Sequence, residues 1–268
     1  MNDVDTEKIA NLICQVAATE IMPRFNNLRQ ADIREKKPGD LVTAADEAAE
    51  EALTRLLQEY LPGSLVVGEE AVSKDPAMLG RLKKREPVWI IDPVDGTSNF
   101  AKGNPQFGVY VALVQGGVTR YAWAYDPPGD RMALAAQGAG ARLNGRRITV
   151  TIPPGDMKQL VGQCDGAPAA HFDSVRPLFR ELVKSGCCLH DYMNFLTGRA
   201  DFVAHVDWTT PWDHAAPDLI AREAGAWVAL DNGRPYDPSQ CRRAFMMAAP
   251  GKMWWDRLQP IFYPLHVA

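Results

Sequence analysis

The chain has 268 residues, of which 46% are hydrophobic and 23% are charged, and these values are typical of a globular protein with a sizeable core. Its formal net charge of −4 gives no overall basic character, so nucleic acid is not expected as a partner. No stretch approaches the roughly 18 apolar residues that a membrane-spanning helix needs, and no membrane association is expected.

The cysteines and the N-terminus both bear on the compartment. The five cysteines are odd in number and include no C-x-x-C pair, which disfavours a disulfide framework and a structural zinc site. The acidic N-terminus lacks the basic region and the apolar run of a secretory signal. We therefore expect a cytoplasmic protein.

The first 60 residues have a helical pattern. Apolar residues recur at helical spacing between Ile9 and Ile21. A second helix is predicted from about Ala44 to Tyr60, where a Pro-Gly pair follows. The short apolar runs Leu65–Val67 and Val88–Ile91 are typical of buried strands.

The remaining chain alternates between strands and helices. Strands and turns are predicted over 107–150, with Asn144 and Gly145 as a hairpin signal. Helices are predicted at about Ser174–Lys184, His190–Leu196 and Asp213–Ala224, with short strands between them. This order of elements predicts a layered α/β sandwich.

Acidic residues recur where predicted strands or loops end. Asp40 and Asp46 are the first and last residues of the segment DLVTAAD. Glu69 and Glu70 follow the predicted strand Leu65–Val67. Asp92 and Asp95 follow the second strand, and Asp213 begins a predicted helix.

The segment DPVDGT is the most informative of these. It places Asp92 and Asp95 three residues apart in a predicted tight turn, with the carbonyl of Val94 between them. Carboxylate and carbonyl oxygens suit a hard cation such as Mg²⁺ and do not suit zinc. A helix that begins near Gly96 and Thr97 would offer free N–H groups to a phosphate.

Each acid also has an ordinary structural interpretation. Asp46 completes a capping box with Thr43, Asp213 is a candidate helix N-cap, and Glu69 with Glu70 is a candidate solvated loop. The residues alone leave these alternatives open. If the acids converge, cations are needed, because two like charges ~4 Å apart repel by about 4 kcal/mol at an effective dielectric near 20.

Two long motifs resemble those of the inositol monophosphatase family, within the metal-dependent, lithium-sensitive sugar phosphatases. They are WIIDPVDGTSNF at Trp89–Phe100 and WDHAAPDLIAREAGA at Trp212–Ala226. The segments Asp40–Asp46 and Gly68–Glu70 are similar to the remaining family segments and stand in the same order.

The resemblance implies an α/β fold, the alternating α-β-α-β-α sandwich of the inositol monophosphatase and fructose-1,6-bisphosphatase type. It implies a single domain over 1–268, with an N-terminal α+β half of about 1–150 and a C-terminal α/β half of about 151–268. A homodimer, inhibition by lithium and two or three Mg²⁺ ions per active site are also implied.

The resemblance assigns metal ligands residue by residue. Glu69, Asp92 and the Val94 carbonyl are expected to hold the first magnesium. Asp92, Asp95 and Asp213 are expected to hold the second, and a weaker third ion is expected near Glu69.

The same resemblance assigns catalytic and substrate-binding roles. Thr97 and Asp46 are expected to orient and deprotonate the attacking water, with Glu69 as a third catalytic residue. The amides of Gly96 and Thr97 are expected to face the phosphate. The expected substrate-binding residues are Asp95, Gly96, Thr97, Cys188, His205 and Asp213.

The departures from the family pattern lie on the substrate side. Cys187 and Cys188 replace the usual small residues before a helix and are interpreted as packing or pocket wall and not as catalytic thiols. His205 or Val206 stands nearest to the position of a family Glu that binds a ring hydroxyl, and Asp207 is the nearest acid.

Two further features have ordinary structural interpretations. His190 and His214 are interpreted as helix-terminus or supporting residues. The motif has A-A-P-D where the family has A-A-G, and Pro217 is expected to lie near a helix start, where proline is tolerated.

We therefore expect a Mg²⁺-dependent phosphatase that acts on a small phosphorylated metabolite similar to inositol monophosphate. Alternatives with the same chemistry are histidinol phosphate, a 3′(2′),5′-bisphosphate nucleotide and fructose-1,6-bisphosphate. A non-catalytic regulatory protein that kept the fold and a two-metal nuclease are alternatives from other classes.

Overall fold

The N-terminal segment forms two helices and a hairpin. The structure is a computed structural model that describes residues 4–153 and 155–262. The elements are α1 (Thr6–Val16) with a π-helical turn (Ala17–Ile21), β1 (Ile33–Lys37), β2 (Asp40–Thr43) and α2 (Ala44–Tyr60). Asp5 caps α1 by accepting a hydrogen bond from the Lys8 amide. Both predicted helices are confirmed.

A seven-stranded sheet follows. Its strands are β3 (Leu65–Gly68), β4 (Val88–Asp95), β5 (Gly108–Gln115), β6 (Val118–Asp126), β7 (Arg131–Ala136), β8 (Gly140–Leu143) and β9 (Arg146–Ile148), in that spatial order. The helices α3 (Glu69–Lys74) and α4 (Thr97–Ala101) follow β3 and β4. Strands β3 and β4 are parallel, and all later neighbours are antiparallel. The predicted hairpin at Asn144 and Gly145 is confirmed, because β8 and β9 pair antiparallel on either side of these two residues, which both have positive φ.

The C-terminal segment forms a five-stranded mixed sheet and four helices. The strands are β10 (Val161–Asp165), β11 (Glu181–Val183), β12 (Phe202–Trp208), β13 (Trp227–Leu230) and β14 (Arg243–Ala249), in the order β11-β10-β12-β14-β13. The helices are α5 (Ala169–Val175), α6 (Cys188–Leu196), α7 (Pro211–Glu223) and α8 (Lys252–Phe262).

The helix predicted at Ser174–Lys184 is wrong. Helix α5 ends at Val175, a 3₁₀ turn covers Arg176–Leu178, and β11 follows. Pro177 lacks the N–H group that would continue the helix. The buried Leu182 lies in a strand that pairs in parallel with β10, so sheet packing outweighs the local helical pattern.

Three buried clusters define five layers. The first cluster joins α1 and α2 to one face of the seven-stranded sheet. The second joins the other face of that sheet, through α6 and α7, to the five-stranded sheet. The third joins the far face of the five-stranded sheet to α5 and α8. The predicted α-β-α-β-α sandwich is therefore confirmed.

The two faces of the seven-stranded sheet differ in side-chain size. Large residues such as Trp89 and Trp123 pack toward α1 and α2. The face toward α7 carries buried alanines, which are Ala112, Ala122, Ala124, Ala133 and Ala135. Because side chains alternate along a strand, each strand supplies both faces, and the small side chains let α7 lie close to the sheet.

The two sheets lie in successive parts of the chain, residues 65–148 and 161–249. The division into two halves of a single domain stays a prediction. Within the described residues, none of the helices has both the length and the apolar character needed to cross a membrane.

Candidate active site

The acidic segments meet at one edge of the seven-stranded sheet. Because β3 and β4 are parallel, their carboxyl ends lie side by side. Glu69 follows β3 directly, and Asp92 and Asp95 lie in the C-terminal half of β4. Helix α7 brings Asp213 to the same place, where it lies opposite β4.

A β-bulge orients the two aspartates of β4. Asp92 pairs with Tyr110 and Asp95 pairs with Gly108, so three steps along β4 match two along β5. An extra residue reverses the normal alternation, and side chains three apart can then share one face. Pro93, which lacks a ladder donor, lies within this bulge. The predicted tight turn is therefore a bulged strand end.

Three carboxylates converge as a result. Asp92, Asp95 and Asp213 each offer an oxygen, and these oxygens lie within 4.8 Å of one another. Asp213 is not the N-cap of α7, because Thr210 holds that position and Asp213 is the third helical residue. The Thr210 hydroxyl donates a hydrogen bond to the Asp213 carboxylate and orients it.

Burial and mutual repulsion disfavour charge in this cluster. Burial raises the pKa of Asp92 well above its usual value, and the charges of Glu69, Asp95 and Asp213 add to the effect. Burial and the charge of Asp95 raise the pKa of Asp213 to about 7. The positive charge of a divalent cation would offset both penalties. The donors are all oxygen atoms, which suit a hard cation such as Mg²⁺.

Glu69 lies beside the three aspartates but is held by a lysine. The Lys36 ammonium lies 2.8 Å from Glu69 Oε1 and 2.9 Å from Glu70 Oε1. Burial raises the pKa of Glu69. The charge of Lys36 opposes this rise, and the charge of Asp213 adds to it. Glu69 and Asp213 nevertheless line the same cavity. The role of Glu69 as a metal ligand stays a prediction.

Thr97 and Asp46 form the pair that the family resemblance implies. The Thr97 hydroxyl lies 3.0 Å from Asp46 Oδ1 and 3.0 Å from the Val94 carbonyl oxygen. The other carboxylate oxygen of Asp46 accepts from the Thr43 amide at 2.9 Å. Asp46 is thus both a helix-capping residue and the partner of Thr97, so its two interpretations are compatible.

Gly96 permits the close approach of the chain at this point. It has φ +84° and caps α4. A Cβ atom there would lie 2.9 Å from the Gln106 carbonyl oxygen and 3.1 Å from Cys187 Cβ. Both the positive φ and the space therefore require glycine.

The N-terminus of α6 binds Asp95. The Asp95 carboxylate accepts hydrogen bonds from the amides of Cys188 and Leu189, and the Cys187 thiol lies 3.1 Å from its Oδ2 atom. Burial raises the pKa of Asp95, and these donors oppose the rise because they favour the charged carboxylate. Burial raises the pKa of both cysteines well above the usual range, which argues against a nucleophilic thiolate.

The predicted substrate-side residues line a cavity of about 470 Å³ next to the acids. Cys188, His205 and Val206 face it together with Trp208 and His214. The backbone of Asp207 lies in β12, and the side chain of this residue lies outside the described part of the structure.

The histidines have specific buried partners. His205 Nε2 lies 2.9 Å from Asp191 Oδ2, and His190 Nε2 lies 3.6 Å from Asp126 Oδ1. Burial lowers the pKa of His205, but the hydrogen bond and charge of Asp191 outweigh this and raise it overall. His190 therefore has a supporting contact, whereas His205 faces the cavity.

Pro217 does not lie at a helix start as expected. It is the seventh residue of α7, where proline removes the hydrogen bond to the carbonyl of Asp213 four residues earlier. The Cys188 Sγ atom lies 3.2 Å from that carbonyl oxygen and takes the place of the missing donor. A cysteine on α6 thus compensates for a proline in α7.

Several site residues were missed from the sequence. Thr210 had a usable signal, since it precedes Asp213 at the same spacing as Thr43 precedes Asp46. Lys36 and Asp191 had none, because their partners lie 33 and 14 residues away along the chain.

Comparisons with known proteins agree on one family. The profile of the inositol monophosphatase family matches residues 3–254. The chain is 33% identical to inositol monophosphatase 2 of Solanum lycopersicum, over 80% of this chain and 83% of that protein. It is 31% identical to the Nus factor SuhB of Vibrio cholerae, over 82% and 83%. The solved inositol monophosphatase of Thermotoga maritima has a TM-score of 0.83 at 24% identity and covers 98% of each chain, which shows the same fold.

Proposed function

The chain belongs to the inositol monophosphatase family, and we propose that it is a Mg²⁺-dependent phosphatase that hydrolyses a small phosphate monoester similar to inositol monophosphate. The family supports phosphatase chemistry. One observation carries the assignment to this chain, the convergence of Asp92, Asp95 and Asp213 beside the Thr97–Asp46 pair.

The donor atoms fit magnesium. Asp92 and Asp95 are buried, Asp213 is half-buried, and the three acids offer oxygen donors only, which suits a hard divalent cation. Asp92, Asp95 and Asp213 would hold the metal, with Glu69 and the Val94 carbonyl as further proposed ligands. Bound Mg²⁺ would neutralise charge on the phosphoryl group during its transfer. The family resemblance implies two or three such ions.

The Thr97–Asp46 pair would orient the attacking water and receive its proton. With its hydroxyl bonded to Asp46, Thr97 can accept a hydrogen bond from a water and align it with the phosphorus atom. Burial raises the pKa of Asp46 to about 6, although hydrogen bonds from Thr43 and Thr97 oppose this rise. A carboxylate with this pKa is suited to receive the proton that passes through Thr97.

The leaving group would occupy the cavity lined by Cys188 and His205. Neither residue is an acid, so the hydroxyl recognition that a glutamate provides elsewhere in the family would differ here. Histidinol phosphate, a 3′(2′),5′-bisphosphate nucleotide and fructose-1,6-bisphosphate therefore remain alternative substrates. A homodimer and lithium inhibition stay predictions from the resemblance.

Phosphate release from a panel of these esters, with and without Mg²⁺, tests the proposal. We expect release from at least one ester only with Mg²⁺, and loss of that activity in Asp92→Asn, which removes a charge from the centre of the cluster. Asp256→Asn, an exposed carboxylate on α8, is the matched control and should keep full activity. Release that persists without Mg²⁺, or in Asp92→Asn, would contradict the proposal.

A regulatory role without hydrolysis is the second candidate. The observation in its favour is that several relatives, including the Vibrio cholerae protein, bear the name Nus factor. A chain that binds Mg²⁺ but releases no phosphate from any ester in the panel would favour it over the phosphatase.

A further inference from the structure

A second group of metal-binding side chains lies on the substrate side of the cavity. Cys188, His205 and His214 each offer a ligand atom, and these three atoms lie within 4.8 Å of one another. They come from α6, β12 and α7, so the layers of the fold bring them together. Sulfur and imidazole nitrogen are softer donors than the carboxylates of the neighbouring cluster and do not suit magnesium.

The spacing of two of these atoms fits a zinc ion. Cys188 Sγ lies 3.6 Å from His205 Nδ1. In a tetrahedral zinc site with Zn–S near 2.3 Å and Zn–N near 2.0–2.1 Å, a sulfur and a nitrogen ligand are separated by about 3.6 Å. The pair therefore already has the separation that coordination requires.

His205 is oriented as a metal ligand would be. Its Nε2 atom lies 2.9 Å from the carboxylate of Asp191, which is fully buried. A histidine that ligates a metal commonly donates its other ring N–H to a carboxylate, which fixes the ring. This contact leaves the Nδ1 atom directed toward Cys188.

His214 supplies an independent observation. Only 4% of the residue is exposed, and within the described residues its Nδ1 atom has no hydrogen-bond partner. A buried, unpartnered imidazole nitrogen is costly unless a ligand satisfies it.

We propose that Cys188, His205 and His214 form a binding site for Zn²⁺ that occupies the substrate side of the cavity. Three protein ligands leave the fourth tetrahedral position open toward the cavity. On binding, the Cys188 thiol proton and any proton on His205 Nδ1 leave to solvent, and the contact from Cys188 to the Asp213 carbonyl is given up. The site adjoins the carboxylate cluster but uses none of its carboxylates, and its existence does not depend on the proposed phosphatase activity.

The proposed site differs from a zinc motif that is local in sequence, and it has a consequence for hydrolysis. The missing C-x-x-C pair excludes a local zinc knuckle, but these ligands are separated by 17 and 9 residues along the chain. If the chain is a phosphatase, bound zinc would share the cavity with the leaving group and inhibit hydrolysis in competition with the substrate.

Cobalt titration of the full chain in excess Mg²⁺ tests the site, because Co²⁺ reports thiolate coordination by a near-ultraviolet charge-transfer band. We expect a band that saturates at one equivalent and is removed by Zn²⁺. Cys188→Ser should lose the band, and His214→Ala should weaken cobalt binding at least about 10-fold. Cys241→Ser is the matched control and should keep the band.

Two further variants separate this site from the carboxylates. Asp191→Asn should keep the band but weaken cobalt binding by about 10–100-fold. Asp92→Asn should keep the band even though its hydrolysis is lost, and zinc should inhibit the wild-type chain but not Cys188→Ser relative to its own zinc-free rate. No band in the wild-type chain, a band that survives in a folded Cys188→Ser variant, or loss of the band in Asp92→Asn would overturn the proposal.

Discussion

Asp46 shows how one side chain can serve a helix and a reaction. Its Oδ2 atom accepts from the Thr43 amide at the start of α2, and its Oδ1 atom accepts from Thr97 at 3.0 Å. The capping contact fixes the carboxylate, and the second oxygen is left for Thr97. The buried Asp46 is therefore oriented by secondary structure before any substrate binds.

Replacing Thr97 tests this arrangement. Thr97→Ala removes the hydroxyl that joins Asp46 to the proposed water, so we expect kcat to fall by about 10²–10⁴-fold with little change in KM. Thr97→Ser keeps the hydroxyl and is expected to retain most activity. Steady-state kinetics with the best panel ester would measure both variants. A rise in KM with unchanged kcat would show that Thr97 only binds substrate.

Helix α3 is anchored by a buried glutamate of α2. Glu50 accepts hydrogen bonds from the amides of Glu70 and Ala71, each at 2.8 Å, and so satisfies the free N–H groups at the start of α3. A Cβ atom on Gly68 would lie 2.3 Å from Glu50 Cδ, which explains the glycine before α3. Because α3 begins with Glu69, Glu50 positions the acid that lies beside the aspartate cluster.

The stability of this anchor should depend on pH. Burial raises the pKa of Glu50 from 4.5 to about 7, against the opposing effect of the two backbone donors. Between these values the folded chain binds more protons than the unfolded chain, so this group's contribution to stability falls as pH rises from 4.5 to about 7. The shift from 4.5 to about 7 corresponds to at most about 3.5 kcal/mol, since one pKa unit is about 1.4 kcal/mol.

Glu50→Gln removes this titration without a large change in shape. Urea unfolding of both proteins over this pH range, without divalent metals, should show the wild-type chain losing stability relative to the variant as pH rises. Other buried acids titrate in both proteins, so their effects cancel in the comparison. A difference in unfolding free energy that stays constant across the range would show that Glu50 does not titrate there.

The middle helical layer determines where the two halves of the site meet. Helix α7 lies against the alanine-rich face of the seven-stranded sheet, and its first turn carries Asp213 and His214. Helix α6 lies in the same layer and supplies Cys188 together with the amides that bind Asp95. The distance between the sheet and this layer therefore governs both the carboxylate cluster and the cysteine–histidine cluster.

A larger side chain at this interface tests the dependence. Ala135→Leu inserts volume into the fully buried face under α7, and overpacking of this kind costs about 1–3 kcal/mol. We expect a lower free energy of unfolding and weaker Mg²⁺ binding, because Asp213 moves with α7. Ala139→Leu, which is exposed in the turn after β7, is the control. Calorimetric Mg²⁺ titration and urea unfolding would measure both effects, and a destabilised variant with unchanged Mg²⁺ affinity would contradict the link to α7.

Local patterns in the sequence were enough to predict much of the fold and the acidic residues of the carboxylate cluster. Helical periodicity predicted α1, and the following Pro-Gly pair and the Thr43–Asp46 capping box marked the ends of α2, because these signals lie within a few residues of each other. The motifs around Asp92 and Asp213 identified the family, and with it the layered sandwich, since these segments carry specific residue types at fixed spacing.

Local sequence patterns did not predict the contacts between segments that are distant along the chain. The helix predicted at Ser174–Lys184 became a turn and a strand because pairing with β10 outweighed local preference. The bulge in β4, the pairing of Lys36 with Glu69, and the meeting of Cys188, His205 and His214 all arise from sheet register and layer packing. Residue types along the chain name the possible ligands, but only the packed layers bring a given set within bonding distance of one ion.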